Sequence, residues 1–164
     1  MLEEEKIEKP TREWKRSYTI FLVIFLLGAI GAKVWQYRSP KSIIILKDAP
    51  LNVLVADTPL LRFRGLGGRA SLGKYDGMLF LFPESGRHGI VMRDMEFSID
   101  VVWFFNGEVV DIAQNLALQP GVPEDHLRGY FPRIDADTVL ELPAGWAKVH
   151  DVKIGDTLLT NPSQ

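Results

Sequence analysis

Residues 17–32 carry no charged side chain, and at their centre stand eight consecutive apolar residues, Ile20-Phe21-Leu22-Val23-Ile24-Phe25-Leu26-Leu27. A segment that is apolar on every side has no polar face to turn toward water, so protein core or lipid must cover it. As a helix, sixteen residues at about 1.5 Å each reach only about 24 Å, short of a hydrocarbon core of about 30 Å. Continuing through Lys33 to Tyr37 gives residues 17–37 and about 31 Å, enough to span, with the Lys33 ammonium snorkelling to the interface. Trp14 and Tyr18 precede the run and Trp35 and Tyr37 follow it, the placement of interfacial anchors. The expectation is a single-pass transmembrane helix acting as a signal anchor, with the lipid bilayer as its partner. A cleaved signal peptide is the alternative, because Ala29-Ile30-Gly31 offers small residues at the right spacing; the remaining domain would then be secreted.

The leader, residues 1–16, holds five acids and five bases, with Arg12, Lys15 and Arg16 close to the apolar run. That bias puts the amino terminus in the cytoplasm, so both readings place the remainder outside it. Averaged over 164 residues these parts cancel to an ordinary-looking net charge of −2 with 46% hydrophobic residues. Residues 41–164 carry 12 bases against 16 acids, a net of −4, which argues against nucleic acid as a partner. The chain has no cysteine, which removes disulfide scaffolds, thiolate metal sites and cysteine nucleophiles together.

Ser39-Pro40 ends the helix, since proline disfavours helix in the residue before it. A linker and first strand occupy residues 38–47, and one β domain occupies 48–164. Short β-like runs recur at 43–46, 52–56, 78–82, 90–92, 100–105, 108–112, 138–142 and 157–160. Asn106-Gly107 lies between two of them and tolerates the positive φ angles of a two-residue type I′ hairpin turn. Asp57-Thr58-Pro59 starts a short helix that the glycines at 65, 67 and 68 end, and a second helical turn runs from Pro143 to about Val149. Residues 119–133 carry three prolines and two glycines and read as a long excursion. The expected fold is mainly β, a compact antiparallel sandwich or barrel-like domain with one or two short helices, preceded by the membrane helix.

A series of motifs then appears in order. Arg62-Phe63-Arg64-Gly65-Leu66-Gly67-Gly68-Arg69 is followed by Gly77-Met78-Leu79-Phe80-Leu81-Phe82-Pro83, Val91-Met92-Arg93-Asp94-Met95 and Ile99-Asp100-Val101-Val102-Trp103-Phe104. Val139-Leu140-Glu141-Leu142-Pro143-Ala144-Gly145 and Lys153-Ile154-Gly155-Asp156 complete it. Over roughly residues 51–160 this series resembles the prokaryotic family called domain of unknown function 192 (DUF192). The resemblance implies a compact, mostly antiparallel β domain, often secreted or membrane-anchored, and brings no assigned reaction with it. The family's usual aromatic-Trp-Met-Lys-Asn-Thr run is Ile90-Val91-Met92-Arg93-Asp94-Met95 here, and its Gly-Leu-Met is Gly-Leu-Gly.

No Gly-x-Ser-x-Gly elbow is present, and His88, His126 and His150 are widely spaced, so a catalytic triad is not indicated. Glu124-Asp125-His126 and Asp135-Ala136-Asp137 lack a geometric partner and read as solvated acidic loops, so neither metal nor cofactor is expected. Met92-Arg93-Asp94 with Asp100 is the most chemical constellation, and Arg64 and Arg69 could supply a second cationic wall. An arginine fork held by acids suits an anionic or polyhydroxylated ligand, and the same network could equally pin loops to the core. Arg64, Arg69, Met92, Arg93, Asp94 and Asp100 are therefore the candidate binding residues. Glu141 stands between Leu140 and Leu142, so strand alternation turns it away from their face, toward solvent or a polar pocket. Trp103-Phe104-Phe105 puts large rings on both faces of one strand, which points to a strand covered on both sides. The leading functional expectation is a membrane-tethered, extracytoplasmic binding or accessory module of the cell envelope. The alternatives are an envelope enzyme using Asp94 or Asp100 as acid/base, or a structural domain that joins an envelope protein.

Overall fold

The computed structural model describes residues 12–36 and 39–160. Most of the charged leader, up to residue 11, and Tyr37 at the end of the expected span lie outside the described residues. The chain divides into two units at Arg38/Ser39. The first is one helix, α1 (Arg12–Gln36), 25 residues long and about 37 Å at 1.5 Å per residue. Its apolar side chains at 20–27 are all exposed, from 49% at Val23 to 76% at Phe21. Among the described residues no helix is long and apolar enough to cross a membrane.

The second unit is mainly β. Its strands are β1 (Lys41–Leu46), β2 (Ala49–Ala56), β3 (Gly77–Gly86), β4 (Ile90–Val91), β5 (Ile99–Phe105), β6 (Glu108–Leu116), β7 (Gly129–Tyr130), β8 (Ala136–Pro143) and β9 (Leu158–Thr160). Seven of them form one sheet in the order β6-β5-β8-β3-β2-β1-β9, and β4 pairs with β7 in a separate ribbon. The sheet curls into a half-barrel: its two edges meet where Glu108 bridges Thr157. Leu158 N donates to Gly107 O at 2.7 Å and Val109 N donates to Asp156 O at 2.8 Å across the same seam.

Every strand run expected from sequence is present, and the ladders are antiparallel except β2 against β3, which is parallel. A parallel pair needs a crossover, and residues 57–76 with the short helix α2 (Pro59–Arg64) provide it. Thr58 caps α2 by accepting from Leu61 N at 3.3 Å, Pro59 opens its first turn, and Gly65 ends it at φ 52°. Asn106 and Gly107 have φ of 51° and 78°, and Phe105 faces Glu108 across them, the tight hairpin that the pair predicts.

Strand alternation splits the interior into two cores. Val102, Phe104, Leu140 and Leu142 point to the face that also buries Ile44, Leu46, Val53, Leu79 and Leu158. Val101, Trp103 and Val139 point to the opposite face, with Leu54, Met78 and Phe80, beneath Leu61 of α2, Leu66 and Ile90. Trp103 and Phe104 are thus both fully buried on opposite sides, whereas Phe105 is exposed.

Gly77 marks the tightest approach in the sheet. A Cβ there would run into the backbone carbonyl oxygen of Glu141 on the neighbouring strand β8. Since the obstacle is backbone within a central ladder, Gly77→Ala is expected to destabilise the domain by about 3 kcal/mol or more. Urea unfolding followed by tryptophan fluorescence measures this, and an unchanged midpoint would show that the two strands can part at little cost.

Candidate functional site

Strand β8 is central, flanked by β5 and β3, with Glu141 opposite Val101 on one side and Met78 on the other. Leu140 and Leu142 belong to one core, so Glu141 falls on the other face, in line with Val139. It is only 4% exposed. Its Oε2 is fully buried and has no hydrogen-bond partner among the described residues. Burial pushes its carboxyl up to about 8, so near neutral pH it keeps its proton and presents an O–H donor beside a carbonyl acceptor.

Glu141 lies in the wall of a cavity of about 350 Å³. Phe80, Phe82, Ile90, Val91 and Met95 supply apolar surface, and Arg62, Arg64 and Arg93 bring three guanidinium groups, with Phe63 among them. Glu141 is the only acid in this lining. The helix α2 and the glycine turn after it place the first two arginines. Arg62 Nη1 donates to the carbonyls of Asp57 and Leu81, each at 2.8 Å, and its guanidinium lies 5.2 Å from the centre of the Phe82 ring. Arg64 is an exposed residue on the last turn.

Arg93 is held from three directions. Its guanidinium stacks 4.1 Å from the centre of the Phe63 ring, and Nη1 donates to the Phe63 carbonyl at 2.7 Å. Its other edge grips Glu124: Nε donates to Oε1 and Oε2 at 2.7 and 2.8 Å, and Nη2 also donates to Oε1. This pairing raises Arg93 above its ordinary value and holds the Glu124 carboxyl below the usual carboxylate range. Gly67 sits against Arg93, where a Cβ would lie 2.8 Å from its carbonyl oxygen, and Gly68 N donates to Asp94 O at 2.8 Å. The glycine turn after α2 is thereby docked on the Arg93-Asp94 turn, which brings two motifs about 30 residues apart in sequence to one place. A second, smaller cavity of about 250 Å³ shares Arg93 and Met95 with the first and is also lined by Met92, Asp94, Gln119 and Glu124 among others.

The six residues singled out from sequence therefore separate. Arg64 and Arg93 line the Glu141 cavity; Met92 and Asp94, with Arg93 again, line the smaller one. Met92 is also a core residue, 2% exposed. Arg69 lines neither cavity, and its buried Nε has no partner among the described residues. Asp100 is on the opposite face of the sheet, fully buried, accepting from Asn115 N at 2.8 Å and Ala147 N at 2.9 Å. Its role is to hold backbone in place, away from Arg93. Strand alternation alone does not choose between solvent and pocket for Glu141, and Glu124 has the sequence context of a solvated loop. The signal for the first was a lone acid inside a run of β-branched and aliphatic residues; for the second there was none. Among the described residues no group of three or more His, Asp or Glu is placed to hold a metal ion.

Fold and cavity together define a small half-barrel protein with a pocket whose wall holds a buried acid and whose lining carries arginines. Residues 43–160 match the family model of DUF192, described as "Uncharacterized ACR", and the chain belongs to that family. Among solved structures, one from Sinorhizobium meliloti 1021, provisionally named a transcription regulator, is 26% identical with a TM-score of 0.65. That match covers 74% of this chain and 95% of the other. A protein of unknown function from Novosphingobium aromaticivorans DSM 12444 shares the fold at 21% identity and a TM-score of 0.61, covering 73% of this chain and 84% of the other. No curated protein matches the chain.

Proposed function

We propose that this chain is a membrane-tethered module that binds a small acidic ligand, with its β domain outside the cytoplasm. The observation that carries the binding half is the unpartnered, buried Glu141 Oε2 in the wall of a cavity lined by arginines. A polar atom buried without a partner costs about 1–3 kcal/mol. A ligand that hydrogen-bonds to it recovers that cost, which makes the group a sink for binding energy. The walls favour an apolar body, the arginines favour a carboxylate or phosphate, and Glu141 favours a hydroxyl, amide or carbonyl. Asp94 and Asp100, the acids of the enzyme alternative, lie outside this cavity.

The tether rests on the uncharged run at 17–32 with its flanking aromatic residues, and on the exposure of every apolar side chain at 20–27 along α1. Lipid covers such a helix on all sides; a soluble partner would ask for a polar stripe. The regulator name of the Sinorhizobium protein would need a nucleic-acid surface, and the net charge of −4 over residues 41–164 does not favour one.

Two measurements test the halves separately. Protease added to spheroplasts should cut the β domain while cytoplasmic markers survive; a domain cut only after lysis overturns the topology. For binding, the full chain in detergent micelles is titrated with acetate, inorganic phosphate, glycerol phosphate and lactate while its Tm is followed. At a concentration of 100 Kd, binding adds about 2.7 kcal/mol to stability. Lactate or glycerol phosphate, which carry a hydroxyl beside the anion, should raise the Tm of the wild type, and Glu141→Leu should weaken that rise; a flat response to all four, or a lactate and glycerol phosphate response that the variant keeps in full, sinks the reading.

A further inference from the structure

We infer that Glu124 stands in for the carboxylate of the ligand: Arg93 is a carboxylate-binding position, and the ligand class is a small carboxylic acid that displaces Glu124 and extends a polar group toward Glu141. This rests on the Glu141 cavity being a binding site and says which chemistry it takes. Arg93 is the one basic residue that lines both cavities. Its Nε/Nη2 edge has the fork geometry that fits a carboxylate, and Glu124 already fills it with both oxygens engaged.

The occupant is weakly installed. Glu124 lies on a three-residue 3₁₀ turn, Glu124–His126, that buries no residue and has no side-chain cap. The turn's own bonds are local, His126 N to Pro123 O at 2.9 Å and Leu127 N to Glu124 O at 3.4 Å. The Glu124 side chain remains 59% exposed although the Arg93 side chain is 23% exposed. An ion pair with one partner so wet contributes little net stability. Arg93, by contrast, is fixed by the Phe63 ring and carbonyl and does not need Glu124 to stay in place. A rigid cation paired with a loosely held acid is open to exchange. An incoming carboxylate makes the same two bonds, and a ligand that also reaches Glu141 gains a further one that Glu124 cannot make. Exchange frees the loop around residues 119–128 and joins the two cavities across Arg93.

Acetate is the probe, because it offers the carboxylate alone. In ¹H–¹⁵N spectra of the full chain in micelles, acetate should shift the Gly68 and Asp94 amides of the wild type, and should speed hydrogen exchange at the His126 and Leu127 amides. Glu124→Gln, which removes the competing charge and keeps the shape, should bind acetate roughly three- to tenfold more tightly. Arg93→Gln should lose the response. Acetate that binds the wild type and Glu124→Gln equally, with loop exchange unchanged, overturns the exchange at Arg93 and leaves the cavity reading standing. If neither protein responds to acetate while another acid raises the Tm through Glu141, Arg93 is not the carboxylate position. Silence of both proteins toward every acid overturns the two readings together.

Discussion

Glu141→Leu is expected to make the β domain more stable, and by an amount that grows with pH. Glu141 is a carboxyl taken out of water without a hydrogen bond to Oε2. Leucine of similar size removes that polar group, a gain of about 1–3 kcal/mol while the acid is protonated. The pH dependence follows from linkage. In the unfolded chain the group titrates near 4.5; in the fold burial raises it to about 8. Between those values the folded state holds a proton that the unfolded state has lost. The contribution of this one group to wild-type stability is thus fullest below about pH 4.5 and falls as pH rises, at about 1.4 kcal/mol per pH unit, until the folded group ionises near pH 8. Integrated over that window the loss is on the order of 5 kcal/mol from this one group, and the leucine variant should not show it. Urea midpoints of the two proteins at pH 5, about 6.5 and 8 give the difference directly. A gap that stays constant across the series means that Glu141 is not held neutral by the fold. Greater stability with loss of ligand-induced Tm shift would identify Glu141 as a residue kept for binding at a cost in folding.

Much of this architecture was legible in local sequence. Asn106-Gly107 announced its hairpin because the turn's positive φ angles are a property of two residues and their neighbours. Thr58-Pro59 and Gly65 bounded α2 for the same reason. Trp103 and Phe104 disclosed a strand buried on both faces. What was not legible depends on which strand lies beside which. The parallel pairing of β2 with β3 is set by the crossover through α2, and no local pattern states it. Arg93 stands out in the sequence beside Asp94, but its partner Glu124 comes from a loop 31 residues away, and Glu124 looks like any solvated acid. Asp100 is near Arg93 in sequence, seven residues on. Two strand positions decide otherwise: Asp100 faces the core of Val102 and Phe104, whereas the Glu141 cavity opens on the side of Val101. Period-2 alternation had that information for Glu141, whose direction relative to Leu140 and Leu142 was read correctly. It could not tell what would cover that face.

Asp100→Ala should be among the most damaging single changes in the domain, and its damage should be to folding and not to binding. Ile99 pairs with Leu116 and Val101 with Ala113, so Asp100 alone opposes residues 114 and 115 in a bulge of β6. There Asn115 takes a left-handed φ of 54° and aims its N–H at the Asp100 carboxylate. The second oxygen accepts from Ala147 N at the start of α3 (Trp146–Val149), whose N-cap, Gly145, has no side chain to offer. One buried carboxylate therefore satisfies a bulge and a helix start, which come from parts of the chain about 30 residues apart. Alanine leaves two backbone donors without acceptors and opens a void beside Phe104 and Leu142. At about 1–3 kcal/mol for each orphaned donor, the loss is about 3–5 kcal/mol, a fall in Tm of roughly 10–20 °C for a domain of this size. Asp100→Asn keeps one acceptor but turns an amide N–H₂ toward the other donor, so it should lose a substantial part of the same stability. Below its lowered Tm, Asp100→Asn should still take up acetate with wild-type affinity, because the Arg93 fork is on the other side of the sheet. Arg93→Gln should do the reverse, shifting the Tm little and abolishing uptake. If instead Asp100→Asn is fully folded and blind to acetate, the carboxylate belongs to the ligand site after all, and the division of the two acids between the two faces of the sheet is wrong.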